Sequence, residues 1–137
     1  MIHDQLRRVG ALFSAWSLLI LLSGCERSTE VFFLLDNASS HEVLVRGTDL
    51  FRSEEISINL LPGEKREISR MHFWGIHEAH IAPTESLGTD LSIANAHGDT
   101  LMKDYRVASL WLSEWMSHGW TATRNYVLIL EEGDFAP

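Results

Sequence analysis

Short runs of alternating apolar and polar residues, each cut off by a turn signal, constrain this chain most. Ile56, Ile58 and Leu60 alternate with Ser57 and Asn59, the period of a strand with one buried face. Leu61-Pro62-Gly63-Glu64 follows. Proline presets φ at about −65° in the second turn position, and glycine accepts the positive φ that a type II turn needs in the third. Arg66-Glu67-Ile68-Ser69 then reads as the next strand. Before this pair stand Val31–Leu35, stopped by Asp36-Asn37, and Val43-Leu44-Val45, stopped by Gly47. After it, Leu91-Ser92-Ile93 and Leu101-Met102 flank a hairpin loop at Asn95–Asp99, and Tyr126–Leu130 gives the last strand. About seven short strands at this spacing predict one mainly β domain, a β-sandwich.

One segment breaks the pattern. Ala108, Trp111, Leu112, Trp115 and Met116 fall at the spacing of a helical apolar stripe. Ser109, Ser113, Glu114 and Ser117 take the other face, and Gly119 supplies a stop. The spacing predicts one short helix near residues 108–118, covering an end or edge of the sandwich.

The N-terminal segment is of another kind. Arg7 and Arg8 are followed by Val9–Leu22, fourteen residues without a charge. A basic start and then a short apolar run is the layout of a secretory signal peptide. As a helix the run would reach about 21 Å, short of the ~30 Å hydrocarbon core, which argues against a permanent span. Leu22-Ser23-Gly24-Cys25 closes it and resembles a bacterial lipobox. That resemblance implies cleavage before Cys25 and a diacylglycerol on its sulfur. Two or more acyl chains hold a protein at a membrane where one does not, at about 0.8 kcal/mol per buried CH₂. The chain is thus expected to divide into a signal peptide (1–24), a short tether (25–30) and a β-sandwich domain (31–137). Cys25 is the only cysteine, so core packing must hold the domain without a disulfide.

Residues 25–137 carry nine Lys and Arg (Arg7 and Arg8 precede them) against eighteen Asp and Glu (Asp4 precedes them). A surface of that sign repels phosphate backbones, which argues against a nucleic-acid partner. It also gives no attraction to an anionic membrane, so the lipid must hold alone.

Two clusters could carry chemistry. His72-Phe73-Trp74-Gly75-Ile76-His77-Glu78-Ala79-His80 offers imidazole and carboxylate ligands. The spacing is not His-Glu-x-x-His, because His80 comes one residue early. The expectation is a polar loop and no bound metal, with His72, His77 and His80 as the weak candidates. Trp74, Trp111, Trp115 and Trp120 follow the signal segment. Flat apolar faces with a polar N–H suit sugar stacking and suit cores equally. Trp111, Trp115 and Trp120 are the candidates for a glycan or surface-ligand site, and the stripe spacing of 111 and 115 favours the core. Neither a Gly-x-Ser-x-Gly elbow nor a phosphate-binding glycine loop is present.

Several stretches together resemble small lipoproteins of unknown function from Bacteroides and relatives, which carry an immunoglobulin-like β-sandwich after the lipidated cysteine. They are "LLSGC", "DNASSHEVLV", "ISINLLPGEKREI", "LSIANAHGDTL" and "NYVLILEEGDF", about half of residues 25–137. The tryptophan segment and the histidine-rich stretch depart from that pattern. The resemblance implies an immunoglobulin-like fold and an envelope location, and it supplies no catalytic residues or cofactor. By resemblance to enteric lipoproteins, an Asp after the cysteine retains a protein at the inner membrane. Glu26 stands there instead, which implies passage across the inner membrane and anchoring at the outer one. The expected role is non-catalytic: binding of an envelope protein or glycan, or a structural part.

Overall fold

The computed structural model describes residues 27–137. The expected signal peptide and Cys25 lie outside them. The described residues form nine strands: β1 (Ser28–Asn37), β2 (Val43–Asp49), β3 (Glu54–Leu60), β4 (Lys65–Trp74), β5 (Ser92–Asn95), β6 (Thr100–Leu101), β7 (Leu112–His118), β8 (Thr121–Leu130) and β9 (Phe135–Ala136). They make two sheets, ordered β4-β1-β8-β7 and β3-β2-β5-β6-β9. The inner faces share one core. Val31, Phe33, Leu35, Ile68, Leu128 and Leu130 come from the first sheet, and Val43, Val45, Ile56, Leu60 and Ile93 from the second. The mainly β, two-sheet class read from the alternation is the class formed. One feature is outside the all-antiparallel scheme of immunoglobulin sheets: β1 pairs parallel with β8 along its full length, Ser28↔Thr121 to Asn37↔Leu130.

β1 is the frame of the first sheet, because it is paired on both sides. It starts at Ser28, so Ser28, Thr29 and Glu30, expected as tether, are laddered to β4 and β8. The Leu61–Glu64 turn forms as read: Glu64 N–H donates to Leu61 C=O at 3.0 Å, and Gly63 has φ +76°. Its strands do not pair with each other. β3 joins β2 and β4 joins β1, so the turn is a corner between sheets. Gly47 does not end β2, which runs on to Asp49. A Cβ there would stand 2.7 Å from the Leu91 Cα, so glycine marks a close backbone approach inside the strand.

The helix expected near residues 108–118 is not formed. Ala108–Leu110 makes one 3₁₀ turn, and Leu112–His118 is β7. The same residues fit a period of two. Trp111, Ser113 and Trp115 fall on one face, and Leu112, Glu114 and Met116 on the other. An isolated helix under ~12 residues is marginal, whereas β8 offers a full ladder from Leu112↔Val127 to His118↔Thr121. Gly119, expected as a helix stop, has φ +60° in the two-residue turn Gly119-Trp120. Glycine first in such a turn is the II′ hairpin signature.

The β2–β3 loop is organised by a buried acid. The Asp49 side chain has no exposure. Its Oδ1 accepts the backbone N–H groups of Phe51 (3.0 Å) and Arg52 (3.1 Å), and its Oδ2 accepts Arg52 Nε at 2.8 Å. Burial pushes the carboxyl up, but the Arg52 backbone N–H, the Arg52 guanidinium and the Ser69 hydroxyl together hold it below its ordinary value of 3.8. A depressed carboxyl adds stability above its unfolded pKa and loses it as pH falls through the folded one. Asp49→Asn is therefore expected to lower the urea midpoint at pH 7 and to narrow its gap to the parent at a pH well below the ordinary value of 3.8, where the folded carboxyl too is protonated. An equal gap at both pH values would show that Asp49 does not act through its charge.

Candidate functional site

The three histidines do not converge. His72 lies on the outer face of β4, with Nδ1 4.0 Å from Glu30 and its ring edge-on to Trp74 at 5.0 Å. Phe73, its neighbour, points to the opposite face, and the His77 ring stacks on Phe73 at 4.6 Å and 12°. His72 and His77 thus sit on opposite sides of one sheet. His77 is placed by its backbone, whose N–H donates to Thr29 Oγ1 at 2.9 Å while that hydroxyl donates to Gly75 C=O at 2.9 Å. The His80 ring faces Tyr126 at 6.4 Å. Among the described residues no group of three His, Cys, Asp or Glu side chains could hold a metal.

The candidate tryptophans part company too. Trp111 is 4% exposed. Its ring meets Phe33 edge-on at 5.4 Å, Phe33 stacks on Tyr126 at 5.0 Å, and Trp111 Nε1 donates to Tyr105 C=O at 2.7 Å. Trp115 is half-buried, with the Arg124 guanidinium 4.8 Å from its ring centre. That guanidinium is buried and donates to Ser113 Oγ (3.1 Å) and Glu78 C=O (2.6 Å). The aromatic face stands where a carboxylate would usually pair, a cation–π arrangement that gains from desolvation. Trp120 is 60% exposed at the tip of the β7–β8 turn. β7 spans about 24 Å at ~3.4 Å per residue, so Trp111 and Trp120 stand at its two ends and share no platform.

The start of β1 gathers what the sequence left scattered. Ser28 N–H donates to Trp120 C=O at 3.1 Å, and Gly75 N–H donates to Arg27 C=O at 2.5 Å. Ser28 also pairs with Trp74. Trp74 and Trp120 therefore flank the first strand on either side, and the Arg27 guanidinium lies 5.7 Å from the Trp120 ring centre. Trp74 was outside the candidate set, although Gly75 after it already hints at a strand end.

Two open clefts lie elsewhere. One of about 440 Å³ has His80, Trp111 and Tyr126 in its wall. The other, about 430 Å³, runs beside Leu101–Arg106. Comparison with protein-family models, curated proteins and solved structures found no match.

Proposed function

We propose that this chain is a lipid-anchored protein of a bacterial cell envelope, with a binding or structural role rather than a catalytic one. The observation that carries the reading is Leu22-Ser23-Gly24-Cys25 directly behind Arg7-Arg8 and an uncharged run, the order of an export signal ending in an acylation site. The start of the domain supports it. Arg27 is already bonded to Gly75, so an acyl group on Cys25 would hold the domain against the bilayer and not on a stalk. Glu26 favours the outer membrane. The immunoglobulin-like subtype belongs to the same proposal; two sheets around one core support it, and the parallel β1–β8 pair is what it must accommodate.

Cys25→Ser tests the reading. The parent is expected in the detergent phase of a detergent–water partition, with a diacylglycerol mass on its N-terminal peptide. The variant is expected in the aqueous phase without that mass. Equal partitioning of the two would remove the lipid anchor from the account. A surface-ligand module is the second reading, and exposed Trp120 is what favours it. Retention of the soluble variant on envelope glycan, lost on Trp120→Ala, would support it.

A further inference from the structure

We propose that the end of the sandwich where β1 starts is a membrane-seating surface, on which Leu50, Phe51, Trp74 and Trp120 enter the headgroup layer of the bilayer that holds Cys25. The proposal rests on the lipid-anchor reading and says which face of the domain the anchor presents.

The four side chains come from three hairpin and strand ends that the topology brings to one side. β1 and β8 run parallel and β4 runs against them, so the start of β1, the end of β4 and the β7–β8 turn coincide. β2 descends to the same end, where its loop to β3 carries Leu50 and Phe51. The Phe51 ring lies 6.4 Å from that of Phe73, the neighbour of Trp74. Trp74 is 74% exposed, Trp120 60%, Leu50 48% and Phe51 47%. Exposed apolar side chains at turn tips, where polar residues are usual, mark a surface that meets something apolar. These tips are also firmly built. Asp49 ties the Leu50-Phe51 loop from inside, and the II′ turn fixes Trp120.

The occupant follows from where the chain goes. Cys25 is two residues before Arg27, and two extended residues span at most about 7 Å. A leaflet's headgroup layer is about 5–8 Å thick. With acyl chains on Cys25 in the hydrocarbon, the residues that flank Ser28 cannot stand clear of that layer. Tryptophan settles at this depth in membrane proteins, ring toward the chains and N–H toward the headgroups, and Arg27 beside Trp120 is placed to meet phosphates. The opposite end exposes one large apolar side chain, Leu61. Its loops carry Glu64, Asp99, Glu131 and Glu132, acids that belong in water. Acids stand at both ends, Glu54 and Glu55 beside the Leu50-Phe51 loop among them; what sets the first end apart is its four large exposed apolar side chains, and the anchor leaves from there.

The test uses the full lipidated protein in phosphatidylcholine vesicles, with or without bromine on the acyl chains near the headgroup. Bromine quenches indole emission on contact. Two of the four tryptophans in residues 25–137 lie at this end, so bromine-labelled vesicles are expected to remove about half of the emission. In the Trp74→Ala/Trp120→Ala protein the quenching should fall close to zero, with circular dichroism unchanged because both side chains are exposed. Mass spectrometry of the N-terminal peptide is read on the same samples. A lipidated parent that is not quenched overturns the seating surface and leaves the anchor standing. A parent without lipid overturns the anchor and, with it, this surface. Equal quenching of parent and double variant would place other side chains at the bilayer and also overturn the assignment.

Discussion

Trp111→Ala is expected to cost about 3–5 kcal/mol of stability, the usual range for a large aromatic removed from a core. The ring is 4% exposed and stands edge-on to Phe33, itself at zero exposure in the middle of β1. Truncation opens a cavity beside the strand that carries the whole first sheet. It also strips the Tyr105 carbonyl of its indole donor. A domain of this size holds about 5–15 kcal/mol in total, so the melting temperature should fall by more than about 10 °C. Trp111→Phe separates the two effects. It keeps most of the burial and loses the hydrogen bond, and should cost about 1–3 kcal/mol. Trp120→Ala is the surface control, expected within about 0.5 kcal/mol of the parent. Thermal melts of the three variants decide the matter. A Trp111→Ala protein that melts with the parent would remove this ring from the core.

Burial of Trp111 was legible in the sequence, but through a helix that does not exist. Its spacing with Leu112, Trp115 and Met116 is helical, and β7 is an edge strand with large residues on both faces. Leu112 and Met116 are exposed on the outside, while Trp115 rests against Arg124 within. Apolar residues on both sides erase the alternation that identifies a half-buried strand. Only the partner strand, across the Gly119-Trp120 turn, settles the matter. Where one face is buried and the other wet, as at Ile56, Ile58 and Leu60, the sequence reading and the fold agree. The Leu61–Glu64 turn was readable for a local reason, the φ demands of Pro62 and Gly63. Its role as a corner between sheets was not, because strand pairing is decided elsewhere. The same holds for the apolar end. Leu50, Phe51, Trp74 and Trp120 are far apart in sequence, and only the order β4-β1-β8 with β2–β3 beside it brings them together. Isolated signals existed, an apolar pair in a turn and a Gly-Trp tip, but nothing local says that the tips share one end.

Asn37→Asp should be more damaging than its single-atom change suggests. Asn37 is fully buried at the end of β1, where it fastens three segments. Its Nδ2 donates to the carbonyls of His41 at 2.8 Å and Leu60 at 3.1 Å. Its Oδ1 accepts the Ser39 N–H at 3.1 Å and the Ser39 hydroxyl at 2.7 Å. Its own backbone bonds Gly63 and Glu64 at the corner between the sheets. The four side-chain bonds use all the capacity of the amide on that face, and they join the β1–β2 loop to the end of β3. The substitution keeps shape and volume, so no cavity term enters. It replaces two donors with a carboxylate oxygen that faces two carbonyl oxygens in a site closed to water. An uncompensated buried charge costs about 3–5 kcal/mol, and the two carbonyls lose their partners as well. The expected loss at pH 7 is therefore at least about 3 kcal/mol, a large share of the total. The charge gives the prediction a pH signature. Burial and the facing carbonyls push the introduced carboxyl's pKa up, so the destabilisation is greatest above that value and shrinks as pH falls through it. The protonated acid can again donate to one carbonyl. Asn37→Leu also loses the hydrogen bonds but adds no charge, and its deficit should not depend on pH. Urea unfolding of both variants at several pH values between about 4 and 8 reads the difference. A deficit for Asn37→Asp that stays constant with pH would mean that water reaches the site, and that the amide network is not what joins the two sheets at this corner.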